Sequence, residues 1–287
     1  MKKQKYIIEK NNSFNCTHIF ECGQCFRWNK QEDGSYTGVV KNAVLNVKEN
    51  SNSIIFTGVL DDDLKIFCDD YFDLDTDYNK IKSTLSKIDE YLKTSINYGN
   101  GIRILKQDLW ETLISFIISA NNNIPRIKGI IERLSLNYGL PVEFNGKIYY
   151  TFPTPESLGK ATVQDLRNLG LGFRDKRVYD TTQMVLDKQV DLEELKNEKD
   201  VNKLREELEK FPGVGDKVAD CIMLFSLQKL EVFPIDVWVR RVMNELYIKE
   251  EDETKVKKDQ IQTLAHEKYD RLAGIAQQYL FYWKRDA

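Results

Sequence analysis

Glu209-Lys210-Phe211-Pro212-Gly213-Val214-Gly215-Asp216-Lys217-Val218-Ala219-Asp220 is the stretch on which the reading of this chain turns. It ends one helix and starts the next across Pro-Gly-Val-Gly. A helix opened in this way leaves backbone N–H groups unpaired in its first turn, where they and the positive helix end can hold a phosphate. A tight helix connection with no ligand is the plainer alternative from the glycines alone. A P-loop needs four residues between its glycines and a Lys followed by Ser or Thr, and Gly213-Val214-Gly215-Asp216-Lys217-Val218 supplies neither. Lys217 falls in the first turn of the new helix, where the dipole disfavours a cation. Cys221 lies four residues on and shares that face, although it reads equally well as a small buried hydrophobe. Nineteen residues after Lys217, Phe233-Pro234-Ile235-Asp236-Val237-Trp238 places Asp236 as the N-cap of a further helix. Spacing alone does not bring Asp236 to Lys217.

Upstream, the period of the chain changes once. From Tyr6 to Gly58 it is strand-like: Asp33-Gly34, Lys41-Asn42 and Asn50-Ser51-Asn52 separate short runs rich in Val, Ile, Tyr and Phe, which predicts an antiparallel meander. From Asp61 the period is helical, and it is expected to stay so to the end. Asp108 caps an apolar helix through Ser119, Ile124-Pro125 opens another to Tyr138, and Thr162-x-x-Asp165 has the pattern of a capping box. Further helices are predicted over 175–187, 200–211, 216–227, 236–247 and 269–284. The fold class is therefore α+β: an N-terminal antiparallel sheet domain with flanking helices over residues 1–105, then a larger helical domain over 106–287. There is no repeat of solenoid length.

With 287 residues and 41% hydrophobic content, the chain can build packed cores, and disorder throughout is excluded. Its apolar runs fall well short of the ~20 residues of a membrane span, and its N-terminus lacks a secretory apolar stretch, so an intracellular, membrane-independent protein is expected, cytoplasmic in a prokaryote and nuclear in a eukaryote. Five cysteines, odd in number and thinly spread, do not describe a disulfide framework. Cys22-x-x-Cys25 lacks a second ligand pair, and His18 and His266 are far apart, so no metal ligand set is assigned. A net charge of −3 argues mildly against nucleic acid as a partner, but the average hides a split. Acid concentrates between Asp61 and Asp77, whereas Arg167, Arg174, Lys176, Arg177, Arg240, Arg241, Lys284 and Arg285 lie in the second half.

The Phe-Pro-Gly-Val-Gly hairpin, the lysine two residues after its last glycine, and Pro-x-Asp-Val resemble the helix-hairpin-helix DNA glycosylase superfamily. More narrowly, Gly23-Gln24-Cys25-Phe26-Arg27-Trp28, Asn121-Asn122-Asn123-Ile124-Pro125-Arg126, Leu169-Gly170-Leu171-Gly172-Phe173-Arg174 and the block 212–221 are similar to the eukaryotic-type 8-oxoguanine DNA glycosylase/lyase. These matches run in the family's order over nearly the whole chain. The resemblance implies a bifunctional base-excision enzyme that flips the lesion out of the duplex, with Lys217 as nucleophile and Schiff-base former and Asp236 stabilising the cationic sugar. It implies a base pocket of Gly23, Cys221, Gln277 and Phe281, the last two sharing one helix face. Gly23 would offer its carbonyl to the N7–H that 8-oxoguanine has and guanine lacks.

By the same comparison, Asn121, Arg126 and Arg174 would read the opposite base and Phe173 would wedge the stack. Gly213, Val214, Gly215 and Trp238 would meet DNA phosphate. Trp238 stands where relatives often have histidine, and Phe173 lacks the hydroxyl of the usual tyrosine, which softens the expected opposite-base selection. The implied partner is double-stranded DNA containing oxidised guanine, bound by a monomer. No cofactor and no iron–sulfur cluster is expected, since no cysteine follows Cys221; a monovalent cation on the hairpin carbonyls is the one ion the family pattern suggests. An alkylated-base glycosylase of the same fold and a non-catalytic helix-hairpin-helix DNA-binding protein are the alternatives, and Lys217 argues against both.

Overall fold

The computed structural model describes residues 1–286. Five strands, β1 (Lys2–Glu9), β2 (Trp28–Lys30), β3 (Tyr36–Val40), β4 (Ala43–Glu49) and β5 (Ser53–Leu60), form one antiparallel sheet in the order β1-β5-β4-β3-β2. The meander expected from the turn residues is β2 to β5. The first strand joins at the far edge, with Tyr6 opposite Phe56. Along β5 the alternation is strict: Ile54, Phe56 and Leu60 face a core with Phe14, Phe20, Trp28, Tyr36 and Phe72. Phe20 stacks on Trp28 with centroids 4.0 Å apart, and the Trp28 indole N–H donates to the Tyr71 hydroxyl at 3.0 Å. Between β1 and β2 a short helix, α1 (Cys16–Phe20), interrupts the strand-like region, capped by Asn15.

Helices α2 (Leu64–Tyr71), α3 (Tyr78–Leu85) and α4 (Glu90–Tyr98) lead into α5 (Leu109–Ser119) and α6 (Ile124–Tyr138). Asp108 caps α5, its carboxylate accepting the Glu111 N–H at 2.9 Å, and Asn123 caps α6. The second half is not helical throughout. Strands β6 (Pro141–Phe144) and β7 (Lys147–Tyr150) form a hairpin whose turn, Asn145-Gly146, has φ of +52° and +75°, the left-handed pair that a two-residue hairpin turn demands. Val142 and Phe144 of the hairpin cover the outer face of the sheet at Val39 and Val44. This purpose is tertiary, which is why a helical period on both sides conceals it.

The chain then runs through α7 (Pro155–Leu158), α8 (Val163–Asn168), α9 (Asp175–Leu186), α10 (Leu192–Asn197), α11 (Val201–Leu208), α12 (Asp216–Ser226), α13 (Val237–Met243), α14 (Lys258–Tyr269) and α15 (Ala273–Asp286). Both halves of the predicted capping box at Thr162 and Asp165 are formed. The helical core is centred on α5 and α12, which pack side by side, and it takes in Cys22, Phe26, Tyr78, Leu92 and Ile96 from the first hundred residues. Helix α4 lies against α15, so the chain's end is anchored on a helix that precedes α5. Among the described residues no helix is long and apolar enough to cross a membrane.

Candidate active site

The Phe211–Gly215 connection joins α11 to α12 as a tight hairpin in which the Val214 N–H returns to the Phe211 carbonyl at 3.0 Å. Gly213 has φ of +87°, a conformation that favours glycine, and a Cβ there would fall 2.6 Å from Arg177 Cδ and displace that side chain. No side chain caps α12 at Gly215. Its first-turn N–H groups are therefore available to an anion, at the positive end of the helix. Lys258 of α14 pairs with Asp216, and Arg205 pairs with the fully buried Asp220 at 2.8 Å, which fixes α12 against both neighbours.

Lys217, half-buried, lies on the inner side of this helix start with its Nζ 5.3 Å from the centroid of the Phe116 ring on α5. Cys221, one turn on, is buried. Burial pushes its thiol up to about 11, and the adjoining Lys217 ammonium works in the opposite direction while Asp220 and Asp236 add to the rise. Cys221 thus shares one electrostatic neighbourhood with both Lys217 and Asp236. The Asp236 carboxylate caps α13, its Oδ1 accepting the Val239 N–H at 2.8 Å. Lys217 and Asp236 both act on the Cys221 thiol, but among the described residues no hydrogen bond or ion pair joins the two.

Gln277 and Phe281 stand one turn apart on α15. Gln277 is buried, and its Oε1 accepts from the Gln278 amide at 2.8 Å. Gly23 arrives from the other end of the chain: with φ of +90°, a Cβ on it would stand 3.4 Å from Phe281 Cε1. Gln24 holds this turn from inside. Its Nε2 donates to the carbonyls of Ile19 and Arg103 at 2.9 and 2.8 Å, and its Oε1 accepts the Leu105 N–H at 2.9 Å. Gly23 and Phe281 are thus neighbours because a buried amide and a packed terminal helix make them so.

A second cluster gathers at the tip of α6 and the start of α9. Phe173 is 57% exposed and sits under two guanidinium groups, Arg174 at 4.2 Å and Arg177 at 5.3 Å. Arg126 is exposed. Arg174, by contrast, is 1% exposed: its Nε and Nη2 donate to the Ala120 carbonyl at 2.9 and 2.6 Å, and Nη2 also reaches the Asn121 carbonyl at 2.7 Å. Burial, with Arg126 and Arg177 nearby, lowers its pKa. Asn121 itself is exposed at φ of +49°, and the cap of α6 is Asn123. Trp238 and its neighbour Val237 are also exposed, with Arg241 5.7 Å from the Trp238 ring.

Sequence reasoning left two contacts unassigned. Arg177 crosses the hairpin at Gly213 and meets the Phe173 ring, linking the two clusters; its place four residues after Phe173 on a helix was the available signal. Arg285, one turn after Phe281, donates to the Glu21 carbonyl at 2.7 Å. Among the described residues there is no group of three or more His, Cys, Asp or Glu that could hold a metal ion, and all five thiols are buried and unbridged.

Residues 6–113 match the family described as 8-oxoguanine DNA glycosylase, N-terminal domain, and residues 114–268 the HhH-GPD superfamily base excision DNA repair protein family. The chain is 33% identical over 254 residues to an N-glycosylase/DNA lyase of Saccharomyces cerevisiae, covering 80% of this chain and 67% of the relative. It is 32% identical over 232 residues to a probable N-glycosylase/DNA lyase of Methanothermobacter thermautotrophicus, covering 73% and 71%. The Clostridium acetobutylicum 8-oxoguanine glycosylase/lyase, solved with double-stranded DNA containing cytosine opposite 8-oxoguanine, superposes with a TM-score of 0.90 at 42% identity over 98% of each chain. The chain belongs to the 8-oxoguanine DNA glycosylase family of the HhH-GPD base-excision repair superfamily.

Proposed function

We propose that this protein excises 8-oxoguanine from duplex DNA and then cleaves the strand. The hairpin and the uncapped start of α12 hold a backbone phosphate through the amides of Gly213 and Gly215, with Trp238 at the same strand, whereas the Val214 N–H is engaged by the Phe211 carbonyl and closes the turn instead. Phe173 enters the stack left by the extruded nucleotide, whose base lies between Cys221 and Phe281 with its Watson–Crick edge at Gln277. The Gly23 carbonyl accepts N7–H. The Lys217 amine attacks C1′; the N–C1′ bond forms as the glycosidic bond breaks and the base leaves with a proton. Asp236 stabilises the positive charge on the sugar. Ring opening gives the Schiff base, a C2′ proton is removed, and the C3′–O bond breaks by β-elimination.

The steps need only an amine and proton transfers, so no cofactor is invoked. A monovalent cation, where bound, would be held by the hairpin carbonyls and would add positive charge beside the phosphate. The enzyme acts inside the cell, as a monomer, with Asn121 and Arg126 favouring cytosine opposite the lesion; Arg174, expected from the sequence to join them, is buried with its donors on the Ala120 and Asn121 carbonyls and shapes their loop instead. The observation that carries this reading is Lys217 at an uncapped helix start, one turn before the buried Cys221. An alkylated-base glycosylase working by hydrolysis has no use for a lysine there. Borohydride reduction during turnover should trap the native protein on 8-oxoguanine duplex, and Lys217→Gln should abolish trapping and base release while retaining binding. Normal strand cleavage by that variant would move the chemistry elsewhere.

A further inference from the structure

Arg285 joins the two ends of the chain at the base pocket. It follows Phe281 by one turn of α15, so both side chains share a face. Its guanidinium carbon is 5.6 Å from the Phe281 ring centroid and 5.5 Å from that of Tyr282. Its Nη2 donates to the Glu21 carbonyl at 2.7 Å, and Nη1 lies 3.6 Å from the place a Gly23 Cβ would occupy. The guanidinium therefore fills the angle between the ring that carries the flipped base and the turn that presents Gly23.

The bonds of Gln24 tie that turn to Ile19, Arg103 and Leu105, all on the N-terminal side of the molecule. Arg285 ties it to the helix that bears Phe281. Beside the turn lies a cleft of about 480 Å³ whose lining includes Glu21, Gly23, Ile124, Lys128 and Arg285, so the turn has room to relax if the tie is lost.

We propose that Arg285 is a positioning residue for lesion discrimination: it locks the Glu21–Gly23 turn against α15, setting the Gly23 carbonyl at hydrogen-bonding distance from N7 of a base stacked on Phe281. The proposal rests on the base pocket described above. Guanine and 8-oxoguanine differ at that edge by one N–H, and a hydrogen bond weakens steeply once distance and angle leave a narrow range. A carbonyl displaced into the cleft still permits stacking but no longer tells the two bases apart.

The test is equilibrium binding to three duplexes with cytosine opposite the probe: 8-oxoguanine on a fluorinated, uncleavable sugar, guanine on the same sugar, and a tetrahydrofuran abasic analogue. Arg285→Met keeps the aliphatic stem over the rings and removes the donors. It should reduce the ratio of 8-oxoguanine to guanine affinity by about tenfold, the scale of one hydrogen bond to this edge, while leaving abasic affinity unchanged. Arg285→Gln, too short to reach Glu21 from above the rings, should lose the same ratio and decides the matter if the Met variant does not fold. An unchanged ratio in a folded variant overturns the proposal. A parallel fall for all three duplexes also overturns it, by making Arg285 a strand contact. Failure of the native protein to prefer 8-oxoguanine would instead overturn the pocket on which the proposal stands.

Discussion

Arg126 and Arg174 look interchangeable as sequence and are not so as structure. Both carry planar forks suited to the O2 and N3 acceptors of an unpaired cytosine. Arg174 has three donor contacts on the Ala120 and Asn121 carbonyls and is buried, whereas Arg126 is exposed. Arg174 therefore shapes the loop from which Asn121 projects, and Arg126 is the fork available to a base. Arg126→Ala should reduce preference for cytosine opposite the lesion by roughly tenfold with an unchanged Tm. Arg174→Ala removes the donors from the Ala120 and Asn121 carbonyls and empties a buried side-chain site, at ~1–3 kcal/mol, lowering Tm by several degrees and slowing excision opposite every base. Single-turnover excision opposite each of the four bases, paired with thermal melts, separates the two. A native Tm with lost selectivity in Arg174→Ala would reverse the assignment.

At the level of elements, what is decided within a few residues is legible in the sequence and what is decided by tertiary packing is not. The caps at Asp108 and Asp236 and the box at Thr162 and Asp165 are present because an N-cap is decided within four residues. The β6–β7 hairpin and α1 break the expected periods, and α14 is covered only by the general helical period after Asp61: the first two are short, and α14 is polar over most of its surface, so none carries a strong apolar period. In the site, the Lys217–Cys221 pair was legible from its four-residue spacing. The meeting of Gly23 with Phe281 was legible only through family resemblance, because nothing local joins the two ends of a chain. Asp236 caps α13, and the proposed function gives it a second role at the cationic sugar. Since asparagine caps a helix about as well as aspartate, Asp236→Asn should cost less than about 1 kcal/mol of stability. It should nevertheless slow excision by at least ~100-fold, because the amide brings no charge to the cationic sugar. Unchanged single-turnover rates in a variant with native Tm would leave Asp236 a cap alone.

The molecule as a whole is held together across a seam between sheet and helices, and one titratable group there gives stability a pH dependence distinct from that of the chemistry. Glu111, in the first turn of α5, faces a cavity of about 10 Å³, the room of a single water, which is also lined by Arg27, Trp28 and Tyr71 from the sheet side. Burial pushes its carboxyl up from 4.5 to about 7; the Arg27 charge opposes the rise and Asp108 adds to it. The folded state thus keeps a proton that the unfolded chain releases near its ordinary value. The contribution of this group is complete below about pH 4.5 and is lost as pH rises to about 7, above which it is flat. Glu111→Gln imitates the protonated carboxyl at every pH. Its melting temperature should match the native protein near pH 4.5 and exceed it at pH 8, by an amount equivalent to ~1–3 kcal/mol. Parallel Tm curves for the two proteins would show that Glu111 ionises freely in the fold. Arg27 stands four residues after Gly23 in the same motif, so loosening this seam at high pH should also reach the turn that reads the base. Excision by the native enzyme should then decline above pH 7 more steeply than excision by Glu111→Gln, although neither residue touches DNA in the proposed complex.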